Sequence, residues 1–237
     1  MLFLQSFINN VRPAHSGSLA VVGGVNYGLT GANSNSDAEI FMSNGVQYQS
    51  PAFSGLSFKY QHTFGEVAGD TSKASGSAYG VNYDGIQNLN LSAVYKESKS
   101  NAGVKSQRYT LVGAKYTLGQ FTLAGQVGTY KDPTTSTNLD VTAYETGVAY
   151  AVTPALTAAV NYISFDDKNN SAGKPTHTSA SLKYALSKRT SLWTMYAVAD
   201  NKGTSGIEAF YNGGNTTSAV VAGQKQTGIA AGVTHSF

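Results

Sequence analysis

Four histidines, His15, His62, His177 and His235, are the side chains of this sequence with the widest chemical range near neutral pH. A histidine beside a serine and a carboxylate would perform acyl transfer, the serine attacking while the imidazole carries the proton. No spaced motif surrounds any of the four: His62 and His177 fall near loop ends, and His235 is close to the C-terminus. A solvated rim histidine is the plainer reading of each. Asp166 and Asp167, followed by Asn169 and Asn170, offer hard oxygen ligands of the kind Ca²⁺ takes, but not at EF-hand spacing. The chain has no cysteine, so disulfides and thiolate metal sites are out. Gly-x-Gly patterns occur without the following helix of a nucleotide site. The residues therefore predict no metal, no cofactor and no catalytic set. What remains is a series of isolated charges, Lys59, Lys96, Lys115, Lys183 and Glu145, each inside a segment where apolar residues alternate. Such charges act on passing ions, not on bonds.

The elements that position them can be read from composition and period. Only 12% of the 237 residues are charged, about half the usual share. Tyrosine is abundant at 15, glycine reaches 26, and proline is scarce at 5. A soluble domain so poor in charge would tend to associate, whereas a barrel that hides alternate residues in lipid needs no long apolar run. No run approaches the roughly 20 apolar residues of a membrane helix. The net charge of +3 is modest and the basic residues are spread along the chain, so no nucleic-acid stripe is indicated.

Five segments repeat with a period near 34 residues, beginning VQYQSPAFSGLSFKY, VNYDGIQNLNLSAVY, AKYTLGQFTLAGQVGTY, VAYAVTPALTAAVNY and LKYALSKRTSLWTMY. Each places a tyrosine before a short turn (Tyr48, Tyr83, Tyr116, Tyr150, Tyr184) and another after it (Tyr60, Tyr95, Tyr130, Tyr162, Tyr196). Paired helices also repeat near this length, but here apolar residues alternate at period two, as in Leu156, Ala158, Val160 and Tyr162. The unit is a β-hairpin. Eleven strands follow, over 40–50, 55–64, 77–84, 88–97, 106–118, 120–131, 140–152, 155–165, 176–187, 190–200 and 224–237. Turns such as SPAFSG, DGIQN, LGQ, TPA and SKRT fall on one side, and longer polar segments such as EVAGDTSKASGS and 200–223 on the other, in strict alternation. Short turns at one end and long loops at the other predict an antiparallel transmembrane β-barrel. The tyrosines before the short turns then form an aromatic girdle at the headgroup layer. In GIAAGVTHSF, Ile229, Ala231, Val233 and Phe237 share one parity, giving a last strand with one apolar face that ends at the short-turn rim.

NGVQYQSPAFSGLSFKYQHTFGE, YALSKRTSLWTMYA and the closing GIAAGVTHSF resemble the general porins of Gram-negative bacteria, in particular the trimeric 16-stranded porins of β-proteobacterial type. The resemblance runs from about residue 39 to the end. It divides the chain into a loop-rich remnant or pore-loop region, 1–38, and a porin barrel region, 39–237. It implies an integral outer-membrane location, a homotrimer, contact with outer-membrane lipid and lipopolysaccharide, and a C-terminal strand read by the barrel-assembly machinery through Phe237, Val233, Ala231 and Ile229. It also implies that about five strands are lacking, so that the chain corresponds to the C-terminal two-thirds of a porin, apparently truncated at the N-terminus, with a non-conducting piece as an alternative to a working pore. MLFLQSFINNVRPAHSGSLA has no basic n-region and makes a poor signal peptide.

With the apolar parity turned outward, the inward set is Gln47, Gln49, Lys59, Gln61, Asn82, Asn90, Lys96, Lys115, Gln126, Glu145, Asn161 and Lys183. Four lysines against one glutamate predict passive diffusion of ions and small hydrophilic solutes with a mild preference for small anions, and no enzymatic step. The alternatives are a barrel hydrolase built on His62 or His177, and an adhesin-like surface barrel whose 200–223 loop, with Phe210 and Tyr211, contacts a partner.

Overall fold

Period-two alternation, with tyrosine, valine and threonine frequent and proline confined to connections, is the pattern of half-buried strands. A computed structural model describes residues 44–133, 138–169, 174–203 and 222–237. Eleven strands are found: β1 (Gly45–Gln49), β2 (Leu56–Thr63), β3 (Gly76–Ile86), β4 (Leu89–Lys99), β5 (Lys105–Leu118), β6 (Phe121–Asp132), β7 (Leu139–Ala151), β8 (Leu156–Asp167), β9 (Thr176–Ala185), β10 (Thr190–Asp200) and β11 (Lys225–His235). Their ends lie within two residues of the sequence-predicted ones, except at the start of β1, where residues 40–43 fall outside the described residues. So do region 1–38 with His15, as well as Asn170, Phe210 and Tyr211.

Each strand pairs antiparallel with the next in one sheet of order β1 to β11, so backbone groups are satisfied between neighbours, as a membrane interior demands. Among the described residues, β1 and β11 have one neighbouring strand each. The sheet is staggered. The row of facing residues that starts at Lys59, three positions above the turn on β2, passes through Gly80, Val94, Leu111, Gly128 and Ala143 to Phe165, nine positions above the turn on β8. That is one residue of climb per strand, and ~3.4 Å of rise against ~4.8 Å of strand spacing gives a tilt of about 35°. Tilt of this size is what allows a sheet to curl into a barrel.

The connections keep their asymmetry, although the alternation in length is not strict: 100–104 on the long-loop side is shorter than 50–55 on the short-turn side. The 50–55 turn is held by Ser50 Oγ, which accepts from the Phe58 amide at 2.9 Å, and by a reciprocal Phe53–Leu56 backbone pair at 2.8 Å. Gly55, at φ 81°, is required there for two reasons. Its conformation is left-handed, and a Cβ would run into the Gly85 backbone. The β5–β6 turn is as tight as the β3–β4 turn, where Ile86 faces Leu89: Leu118 faces Phe121 across Gly119 and Gln120, with Gly119 at φ 57°. In the β7–β8 and β9–β10 hairpins the first facing pairs, Ala151–Thr157 and Ala185–Ser191, enclose five residues instead of two. An even number in the loop exchanges the faces of the second strand, unless a bulge restores them, as the irregularity between Tyr83 and Ile86 does in the β3–β4 hairpin. Tyr60, Tyr95, Tyr162 and Tyr196 accordingly share the face of the turn-proximal tyrosines, while Tyr130 takes the opposite face and is buried.

Candidate pore wall

The two faces of the sheet are inverted relative to a soluble protein. On one face Tyr48, Phe58, Val81, Leu123, Val160, Leu182 and Val233 are all solvent-exposed, and Ile229 is 78% exposed. On the other, Gln61, Lys96, Gln126 and Glu145 are buried, each 7% exposed or less. A flat single-layered sheet would expose both faces alike, so this sheet wraps around its polar face. The outer face is also graded. On β8 the outward series runs Leu156, Ala158, Val160, Tyr162, then Ser164 and Asp166; on β6 it runs Phe121, Leu123, Gly125, Val127, then Thr129 and Lys131. Apart from Asp84 at the short-turn end of β3, the outward charges of the strands collect at the long-loop end, where three pairs bridge neighbouring strands: Lys131–Asp140 at 2.9 Å, Lys105–Glu97 at 3.0 Å and Lys225–Asp200 at 3.6 Å. The five turn-proximal tyrosines all lie on the outer face, and Phe121 packs on Tyr150 with ring centroids 4.7 Å apart. An apolar band bordered by tyrosines on one side and charges on the other is a surface made for the bilayer.

The strand register puts Gln47, Gln49, Lys59, Gln61, Asn82 and Asn90 on the inner face. Lys96, Lys115, Gln126, Glu145, Asn161 and Lys183 join them there. Gln126 faces Glu145 and donates its amide to the Glu145 carboxylate, supporting a buried charge in a row that runs from Gly113 to Ile163. Further along the same row, where Ser92 faces both Gly113 and Asn82, Ser92 Oγ donates to Asn82 Oδ1 at 2.8 Å. Two carboxylates outside the sequence-predicted inward set also lie on this face. Asp132, 4% exposed, accepts from the Gln107 amide and the Tyr130 hydroxyl, both at 3.3 Å; Asp167, 4% exposed, faces Val141 and accepts the Asn169 amide at 3.0 Å. Both end their strands, and the parity of Gln126 on β6 and Asn161 on β8 already carried the signal. The wall is not uniformly polar either: Val94, Leu111, Val141, Ile163, Phe165 and Met195 face inward and are buried. Among the described residues the inner face thus holds four lysines and three carboxylates.

A family model described as "Gram-negative porin" matches residues 6–204. The chain belongs to the Gram-negative porin family. The match reaches back into the stretch before residue 39. Among solved structures, this porin chain is similar to the anion-selective porin from Comamonas acidovorans, at 23% identity and a TM-score of 0.73, with 91% of this chain and 66% of that one covered. It is also similar to OmpT of Vibrio cholerae in its trimer form, at 16% identity and 0.63 over 96% of this chain and 73% of that one. OmpF of Salmonella typhi aligns at 17% identity and 0.56, over 81% of this chain and 61% of that one. The chain therefore spans somewhat less than two thirds of the Comamonas porin. No curated protein matches it.

The histidines of this porin are dispersed. His62 lies on the outer face with Nδ1 3.0 Å from Ser77 Oγ, and His235 ends β11 facing Thr190, with Nδ1 2.9 Å from Thr190 Oγ1. His177 is on the inner face, facing Ile163 and Ala199, and is 2% exposed. Alternation sends the adjacent Asp166 and Asp167 to opposite faces, Asp166 pairing with Lys174 at 3.2 Å, so the two do not converge on one cation. Among the described residues no group of three or more histidine or acidic side chains is arranged to hold a metal. Fold and family point to a channel wall in an integral outer-membrane barrel rather than to an enzyme.

Proposed function

We propose that this chain forms the wall of a water-filled outer-membrane pore through which ions and small hydrophilic solutes diffuse passively, with a mild preference for small anions. The observation that carries the reading is the inversion of the two faces, polar and charged inside, apolar and tyrosine-bordered outside. A wettable passage in a low-dielectric sheath lowers the barrier that bilayer hydrocarbon sets against an ion, and fixed charge then biases which ion enters. Lys59, Lys96, Lys115 and Lys183 outnumber Glu145, Asp132 and Asp167 by one, which keeps the sign of the preference and makes it mild. The similar Comamonas porin is an anion-selective one, in line with the same sign here. The outer face and the terminal Ile229, Ala231, Val233 and Phe237 suit lipid, lipopolysaccharide and the barrel-assembly machinery as partners, and a homotrimer as the working unit.

Reconstitution of the 237-residue chain in planar bilayers tests this. Stepwise conductance, with a zero-current potential displaced toward chloride in a KCl gradient, is expected, and a Lys115→Gln/Lys183→Gln variant should reduce the displacement. Absence of steps overturns the pore; a displacement toward potassium overturns the anion preference alone.

A further inference from the structure

The outward residues of β5 and β6 are ordered along the strands like the parts of an amphiphile. Their facing pairs, taken from the long-loop end downward, are Arg108–Lys131, Thr110–Thr129, Val112–Val127, Ala114–Gly125 and Tyr116–Leu123. Charge comes first, then hydroxyls, then branched apolar side chains, then the smallest ones. Arg108 and Lys131 each stand ten positions from the turn at Leu118 and Phe121. That is about 34 Å of strand, or about 28 Å along the axis at a 35° tilt, just beyond an apolar band of about 25 Å.

The charges at this level do not balance. Glu97 faces Arg108 and takes Lys105 at 3.0 Å, while Asp140 faces Lys131 and takes it at 2.9 Å and Lys168 at 3.8 Å. Four cations thus meet two carboxylates. Arg108 and Lys131 also set like charges directly opposite each other on neighbouring strands, a destabilising arrangement that a bound anion relieves. Below them the outer face is dented: a depression of about 680 Å³ is floored by Ala93, Ala114 and Gly125 and walled by Val112, Val127 and Tyr144. The wall does not force Gly125 to be small, since a Cβ there would meet its nearest atom, the Glu145 carbonyl oxygen, at an ordinary 3.5 Å. A second depression, of about 450 Å³ around Ala158 and Ala180, lies under two ion pairs that each cancel, Lys174–Asp166 and Lys225–Asp200.

We propose that β4 to β7 carry a site for one anionic, phosphate-bearing lipid, resting on the reading of the outer face as the one that meets the bilayer. Arg108 and Lys131 take the phosphate, the guanidinium through paired N–H donors and the ammonium as a point charge. Thr110 and Thr129 offer hydroxyls to the linker beneath it. An acyl chain lies in the depression over Ala114 and Gly125, where a larger side chain would occupy its place.

The test refolds the 237-residue chain into vesicles of equal parts phosphatidylcholine and phosphatidic acid, floats them on a density gradient, and counts the lipids retained in mild detergent by native mass spectrometry. One phosphatidic acid should be retained, in preference to phosphatidylcholine by about five-fold or more, given what a basic residue near the headgroups contributes. Arg108→Gln/Lys131→Gln should bring the ratio toward one, and Ala114→Leu/Gly125→Leu should lower the retained phosphatidic acid, whereas Ala158→Leu/Ala180→Leu should leave it unchanged. Inorganic phosphate at matched ionic strength should not displace the lipid. Displacement by it overturns the lipid as occupant in favour of a free anion, and dimers in place of lipid adducts overturn it in favour of a second copy of this chain. A parent that floats with the vesicles but retains both lipids alike overturns the site, and that measurement needs no variant to fold. A chain that does not float overturns the lipid-facing reading itself.

Discussion

A lysine placed at Val160 should cost far more than a lysine placed at Asn161, one residue along the same strand. Val160 is 49% exposed on the outer face and faces Val148 and Ala180. It stands four positions from the turn at Leu156, about 14 Å of strand, or about 11 Å above the rim at the tilt derived above. That puts it near the middle of an apolar band of the ~25 Å height typical of such barrels, where a lysine on the lipid face costs about 2–4 kcal/mol. At about 1.4 kcal/mol per decade, Val160→Lys should lower the folding equilibrium constant by about 1.5 to 3 decades. Asn161 faces Gly147 and Ser179 on the inner side, and Asn161→Lys should stay within about 0.5 kcal/mol of the parent, as a wettable position allows. Denaturant unfolding of both variants in phospholipid vesicles, followed by tyrosine and tryptophan fluorescence, reads the difference. Equal stabilities, or a larger loss at Asn161, would show that the outer face does not meet lipid.

Gly232→Ala should destabilise by about 1–3 kcal/mol, because the added Cβ would lie within 2.8 Å of Trp193 Cε2 on the inner face; Trp193→Phe in the same chain should recover part of the loss in a double-mutant cycle. Gly55→Ala combines a left-handed conformation with collision against the Gly85 backbone, and should reduce the folded yield on refolding more than Gly69→Ala, where the conformation is also left-handed but the space is open. In the β2–β3 loop the Ser72 hydroxyl and amide hold the Asp70 carboxyl below its ordinary value, with a smaller pull from Lys73. A depressed folded value means that this support is complete above the ordinary carboxylate range and lost only as pH falls through the lowered value. Ser72→Ala should move the Asp70 titration back up toward that range, measured by NMR of the carboxyl carbon.

The strands were legible because their physics is local. A residue two positions on returns to the same face, so Leu156, Ala158, Val160 and Tyr162 announce both the strand and its direction of burial. The lumen set was legible for the same reason, since fixing the apolar parity fixes the other. What escaped was either at the end of a series or against its sign. Asp132 and Asp167 close their strands at the boundary with loops, where alternation has no further residue to confirm it. Leu111, Phe165 and Met195 are apolar residues on the polar face, and a period-two reading treats them as noise because it cannot see which rows of a curled sheet meet inside. Tyr130 was concealed by the repeat itself, whose spacing looks regular across a turn that exchanges faces.

That β5–β6 turn behaves as a reading frame for the strand that follows it. Two residues between Leu118 and Phe121 set Phe121, Leu123 and Val127 toward lipid, and Gln126 and Asp132 toward the lumen. Loss of Gln120 would keep every residue of β6 and every backbone hydrogen bond available, yet transpose the strand by one and present Gln126 and a carboxylate to hydrocarbon. A single-residue deletion here is thus a frameshift in space, while the longer loops at the other rim have slack to absorb one.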